Sequence, residues 1–261
     1  MTLFALKVIL TPLLILVATL AARRWGPVVG GLLVGLPLTS GPTSVFLALE
    51  QGSEFAAHAA HSTLFGGLAG IAFCVCYARL AGRFRWTVTV AVSLCVYFAG
   101  VALVGWITLP SLWPSVLIMV LLLMLSQKLV PPVTTKLLHP AAPRWDLPFR
   151  VVVSTAIVIG VTALSMRLGP QMSGIVSGVP AIVCVMSVFT HELYGPPAVR
   201  QFERGVITGT YAYTIFFLTV ALTVEHWNYA LVYLVATGVA AAINLGICVL
   251  NTRRNAACAT M

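Results

Sequence analysis

Apolar runs of roughly twenty residues recur along the whole chain, divided by short joints that carry the polar and helix-breaking residues. About twenty helical residues are enough to cross a hydrocarbon core of roughly 30 Å. The pattern predicts nine crossing helices, over 3–22, 27–49, 62–82, 87–107, 112–130, 148–166, 170–190, 204–224 and 228–250. The joints hold Gly26-Pro27, Pro110, Pro131-Pro132, Pro140, Gly169-Pro170 and Pro196-Pro197, residues that end or bend a helix. No polar stretch is long enough to fold as a separate domain. The expected fold class is all-α and transmembrane.

The pattern also repeats within the chain. Set residue n beside residue n+143, and Arg24, Gly26, Pro27, Gly31, Gly35 and Pro37 meet Arg167, Gly169, Pro170, Gly174, Gly178 and Pro180 without a gap. Ser44-Val45-Phe46 meets Ser187-Val188-Phe189, Gly52 meets Gly195, Gly66 meets Gly209, and Lys7 meets Arg150. The division that follows is a first four-helix repeat over 1–107, a linking helix and inner loop over 108–143, a second repeat over 144–250 and a cytoplasmic tail over 251–261. The unpaired linking helix turns the second unit upside down. A 4+1+4 arrangement of inverted repeats is the plan of many secondary transporters.

Charge sets the expected orientation. With the N-terminus outside and the C-terminus inside, thirteen of the fifteen Lys and Arg residues fall on inner loops or inner helix ends, leaving Lys7 and Arg167 outside. The first segment is expected to be a permanent helix and not a signal peptide, because Arg23-Arg24 follow it and the repeat gives it a mid-chain counterpart. Composition agrees with a life in the bilayer: 60% of residues are hydrophobic and 8% charged, against about a quarter charged in soluble domains. The net charge of +9 would suggest nucleic acid in a soluble protein; here it orients the chain, and no nucleic-acid partner is expected. Six cysteines show neither metal-site spacing nor a disulfide framework, and most are expected to pack as small hydrophobes.

The richest chemistry lies in the second helix of each unit. Gly30 to Ser44 places Pro37 about ten residues into its helix, near the bilayer midplane at about 1.5 Å per residue. Proline removes a backbone donor and collides with the carbonyl four residues back. With Pro42 and several glycines nearby, the helix should kink or unwind, and the freed backbone groups must face protein or a wet cavity. Thr39, Ser40, Thr43 and Ser44 add hydroxyls at that level, and a half-helix starting near Pro42 would aim its N-terminal dipole at a bound anion or polar group. The second copy has Pro180 and keeps Ser177 and Ser187, so the first copy should supply most of a shared site. Gly31, Gly35, Gly174 and Gly178 read better as small-residue packing faces than as ligands. Those faces can pack within one chain or between two, which leaves a homodimer open.

Charged pairs suggest gates. Lys7 and Glu50 mark the outer ends of adjacent helices, and Arg150 and Glu192 the corresponding inner ends; either they pair as gates or they snorkel to the headgroups. Glu54, His58 and His61 share a helical face just before the third segment and read as a solvated helix start, with metal binding or pH sensing as the rival. Asn244 is expected to make a helix–helix hydrogen bond. No Asp or Glu falls at the middle of any predicted segment, which speaks against proton or sodium coupling.

The stretch from Gly35 to Pro42, with Leu49-Glu50-Gln51-Gly52, resembles an uncharacterised family of bacterial polytopic membrane proteins, and each half resembles the small GlpM-type membrane proteins. The resemblance implies a bacterial inner-membrane location and no particular substrate. The chain carries neither a phosphate-binding Gly-rich loop nor a catalytic or metal-ligand constellation at membrane depth, so neither an enzyme nor a cofactor is expected. The leading expectation is a secondary transporter moving a small polar or anionic solute by alternating access. The alternatives are a flippase for a lipid phosphate such as a polyprenyl phosphate, and a non-transporting assembly protein.

Overall fold

The computed structural model describes residues 2–38, 40–106, 112–133, 143, 145–167 and 180–259, and these are all-helical. The described helices are α1 (Thr2–Trp25), α2 (Pro27–Val34), α3 (Ser40–Gln51), α4 (Ser53–Leu80), α5 (Trp86–Trp106), α6 (Leu112–Leu129), α7 (Asp146–Arg167), α8 (Ala181–Thr223) and α9 (Tyr229–Ala259). Five spans among the described residues are long and apolar enough to cross a membrane: Ser53–Leu80, Trp86–Leu103, Leu112–Leu129, Ala181–Thr223 and Tyr229–Ile247.

The distribution of side chains fits lipid as the outer solvent. Helix α6 turns Ser115, Met119, Leu123 and Ser126 inward, a stripe at helical spacing that holds two hydroxyls. Its opposite faces expose Leu117, Leu121, Leu122, Met124 and Leu125. In water that arrangement would strand a large apolar patch; against acyl chains it costs nothing. Trp25, Trp113, Trp145 and Trp227 are exposed at or beside helix ends, where amphipathic rings suit a membrane interface.

Helix α8 is the centre of the bundle and touches α1, α2, α4, α5, α6, α7 and α9. It bends once, at Gly195, whose φ of 78° and ψ of −179° interrupt the helical path between 181–194 and 196–223. Gly52, between α3 and α4, takes nearly the same conformation, with φ 90° and ψ 174°. Only glycine occupies that region at low cost. In both places a helix restarts at once: at Ser53 after Gly52, and after Gly195 with Pro196 and Pro197, which need no N–H in a first turn.

Several expected boundaries are therefore corrected. The segments 62–82 and 204–224 begin earlier, at Ser53 and at Pro196, and 170–190 runs on to residue 194. Expected segment 27–49 is two helices, α2 and α3, separated by 35–39. The final helix continues from 250 through Ala259. The reason is common to most of these. Apolar runs end where polar side chains begin, but backbone hydrogen bonding carries a helix past that point.

The tightest contact is between α2 and the second half of α8. A Cβ added at Gly31 would strike the Phe202 carbonyl, and one at Gly35 the Val206 carbonyl and the backbone of Gly209. In return, Gly205 faces the Val28 carbonyl and Gly209 the Leu32 carbonyl. Two small-residue faces, Gly31/Gly35 and Gly205/Gly209, thus let the backbones touch. Replacing Gly31 or Gly205 by Val is expected to destabilise the protein by about 1–3 kcal/mol or more, because neither backbone can give way. Gly238, with open space at its Cβ position, should accept Ala with little change in thermal unfolding temperature; equal effects at both places would refute this packing.

Candidate functional site

The break after α2 lies where proline predicts it. Leu33's carbonyl cannot find an N–H on Pro37 and accepts from Leu36 N at 3.2 Å, while Leu38 N turns to Leu36 O at 2.8 Å. Helical bonding resumes with Gly41 N donating to Pro37 O at 2.7 Å. Pro42 is tolerated because it stands in the first turn of α3. Gly35, at the near edge of the break, packs on Gly209, the middle of 196–223. The break is thus level with the centre of a membrane-length helix.

Of the residues expected to bind, Ser40 and Thr43 are half-buried on one face of α3. Ser44 is buried: its Oγ lies 2.9 Å from the Tyr233 hydroxyl, which donates to Ser44's own carbonyl at 2.8 Å. Ser44 is thereby engaged in holding α3 against α9. Thr39, Ser177, Gly174 and Gly178 lie outside the described residues. Beside the break is a cleft lined by Leu14, Ala18, Leu33, Val34, Leu36, Leu38 and Ile182, every one an aliphatic side chain.

The second copy supplies what sequence reasoning missed. Pro180 caps the start of α8, and Ser187, the counterpart of Ser44, meets Glu203 with its Oγ 2.6 Å from Oε1. Glu203 is fully buried. The Cys74 thiol stands beside the same carboxyl, and Cys184 and Tyr77 are near enough to feel it. Oε2 has no hydrogen-bond partner among the described residues. The pattern left Glu203 just outside expected segment 204–224, whereas it stands within the helix, six residues from Gly209 and roughly 9 Å along the axis from that midpoint at 1.5 Å per residue. The available signal was Pro196-Pro197, which reads as a first helical turn as readily as a joint and places Glu203 two turns inside.

The inner pair also differs from expectation. The carboxylate partner of Arg150 is Asp146, at 2.7 Å, and not Glu192, which is exposed. Asp146 in turn receives Arg23 at 2.6 Å, tying the end of α1 to the start of α7. The Arg150 guanidinium lies over the Phe189 ring at 5.0 Å, and both Arg150 and Asp146 are buried. Asp146 was overlooked because its partner Arg23 is distant in sequence. Glu50 is exposed near the end of α3; Lys7 belongs to α1, and its side chain is outside the described part. Glu54 and His58 are exposed on α4, while His61 is half-buried with Nε2 2.8 Å from Ser115 Oγ. Asn244 is buried, and its Oδ1 has no partner among the described residues, so the expected helix–helix bond is not seen there.

Comparison with protein-family models, curated proteins and solved structures returned no match.

Removing Asp146 leaves a buried guanidinium without its counter-charge. Asp146→Asn is expected to lower stability by roughly 3–5 kcal/mol, whereas Arg23→Gln, at a partly exposed partner, should cost about 1 kcal/mol or less. Thermal unfolding in detergent checks the order; equal losses would mean that the two ion pairs are equivalent.

Proposed function

We propose that the chain is a secondary transporter of the bacterial inner membrane, moving a small polar or anionic solute by alternating access. The observation that carries this reading is the broken helix α2–α3, held by backbone contact against the middle of α8. Non-helical backbone at membrane depth is tolerated where it faces protein or lines a cavity, and transporters place their sites at such breaks. Ser40, Thr43 and the α3 N-terminus are the binding groups of this reading, with Thr39, Ser177, Pro180 and Ser187 completing it.

The inverted 4+1+4 arrangement has structural support beyond the sequence match. Ser53–Leu80 and residues 196–223 are the same stretch at the 143-residue offset, as are the two glycine breaks before them and the starts of α5 and α9. The related helices run antiparallel: Tyr213 donates to the Thr63 carbonyl while Arg200 donates to the Ala78 carbonyl. Helices α1 and α7 meet end to start at Arg23 and Asp146. In this reading the N-terminus is outside, the C-terminus is inside, and the Arg23–Asp146–Arg150 network joins the two units on the inner side, as an inner gate. Lys7 and Glu50 remain the outer counterpart.

A second reading has one observation in its favour. The side chains lining the cleft beside the break are all aliphatic, which suits an acyl or prenyl chain and so a flippase for a lipid phosphate.

The test is a ligand screen by thermal unfolding of the purified chain, with organic anions, amino acids, amines and short polyprenyl phosphates. A ligand that binds the folded state at about a hundred times its Kd should add about 2.7 kcal/mol. Stabilisation by a small solute, lost in Ser40→Ala or Thr43→Ala, is the expected result. A response to prenyl phosphates alone would replace the carrier by the flippase, and stabilisation indifferent to both substitutions would move the site away from the break.

A further inference from the structure

We propose that Glu203 is a proton-binding site within the membrane helices, loaded in this conformation and unloaded when the two units move apart. Ser187 Oγ lies 2.7 Å from the Val183 carbonyl, its own i−4 group, and 2.6 Å from Glu203 Oε1. A hydroxyl has one proton to donate, and a carbonyl can only accept. Either Ser187 donates to Glu203 and leaves Val183 without that bond, or it donates to Val183 and the short contact needs a proton on the carboxyl.

Distance alone fits both assignments; the surroundings decide. Glu203 is fully buried, and the ion pairs among the described residues are those of Asp146, so no cation among them offsets a charge on it. Oε2 accepts no hydrogen bond among those residues. An ionised carboxylate in that position is unpaired and desolvated, a far larger penalty than one unsatisfied oxygen of a neutral acid. The carboxyl therefore carries the proton and gives it to Ser187, which gives its own to Val183.

The other groups around it can pass a proton but cannot neutralise a charge. Helix α4 brings Cys74 and Tyr77, the first half of α8 brings Cys184, and Tyr97 of α5 lies within electrostatic range of Cys184. Helix α2 presents no titratable side chain. On α8 itself, Arg200 donates to the Ala78 carbonyl, and Arg204 donates to the Val130 carbonyl while its Nε has no partner among the described residues. The Tyr77 hydroxyl lies 3.4 Å from His191 Nδ1, one turn before the Gly195 bend. Tyr77 and His191 thus extend the polar cluster from the neighbourhood of Glu203 toward the Gly195 end. The site lies between that end and the α2–α3 break, on a helix whose backbone touches α2 at Phe202 and Val206, so a shift of α2 bears on the turn that carries Glu203.

That last step, coupling to transport, rests on the carrier reading; the proton site does not. The test is infrared spectroscopy of the full chain in detergent over a range of pH, with Glu203→Gln as reference. Gln is isosteric and neutral and can donate to Ser187, so that variant should fold. Expected is a protonated-carboxyl C=O band at neutral pH in the parent, absent in Glu203→Gln, and lost on alkalinisation. No band attributable to Glu203 at neutral pH would overturn the proposal, as would a band removed by sodium at constant pH, which would make the group a metal-cation site. The spectrum needs no solute. A failed ligand screen with the band present removes the carrier and leaves the proton site, and a successful screen without the band does the reverse.

Discussion

Two backbones touch at the heart of this protein, and most other features follow from that contact. Gly31 and Gly35 lie against Gly205 and Gly209 with no side chain between. Lipid offers apolar surface as readily as leucine does, so helices in a bilayer gain little from burying apolar area against each other. Close approach, with its dense dispersion contacts, is what holds them together. Here it fixes a helix of only eight residues, α2, which is too short to span a membrane by itself. Held to α8, it can stop at Pro37 and leave its carbonyls to local turns.

The break and the two glycine bends divide the work. At Pro37 the chain loses a donor and re-forms its bonds as tight turns at the level of the α8 midpoint. At Gly52 and Gly195 it changes direction through a conformation that other residues avoid, without losing a turn of helix on either side. The first arrangement creates polar backbone inside the membrane. The second lets a half-helix and a full crossing follow one another without a loop, so that Ser44 and Ser187 reach Tyr233 and Glu203 on neighbouring helices or on the same bent one.

Charge inside the bundle is managed in two ways. Asp146 takes two arginines, and a phenylalanine face covers one of them, so the buried cation has both a counter-charge and a π surface. Among the described residues Glu203 has neither, its neighbours being a serine, two cysteines and a tyrosine. A group buried without a counter-charge changes its protonation state when its surroundings change, which is what the proposed proton site uses. The ion-paired cluster has the opposite character: it is most stabilising while the end of α1 and the start of α7 stay together.

Much of this architecture was legible in the amino-acid order. Membrane character follows from apolar runs of the right length, and the break follows from Pro37, whose ring forbids one hydrogen bond wherever it sits in a helix. Gly52 and Gly195, which the 143-residue register sets side by side, adopt nearly the same backbone state. These are local properties, carried by a residue and its immediate neighbours. The partnerships were not legible. Arg150 could have paired with Glu192 one helix away, and only the meeting of α1 with α7 puts Asp146 between two arginines. Glu203 reads as a polar residue at the edge of an apolar run. Its burial is decided by Phe202 and Val206 packing on α2, by Cys74 and Tyr77 arriving on α4, and by a helix that restarts at Pro196. Desolvation depends on every neighbour at once, and that is information the folded bundle holds and a linear pattern does not.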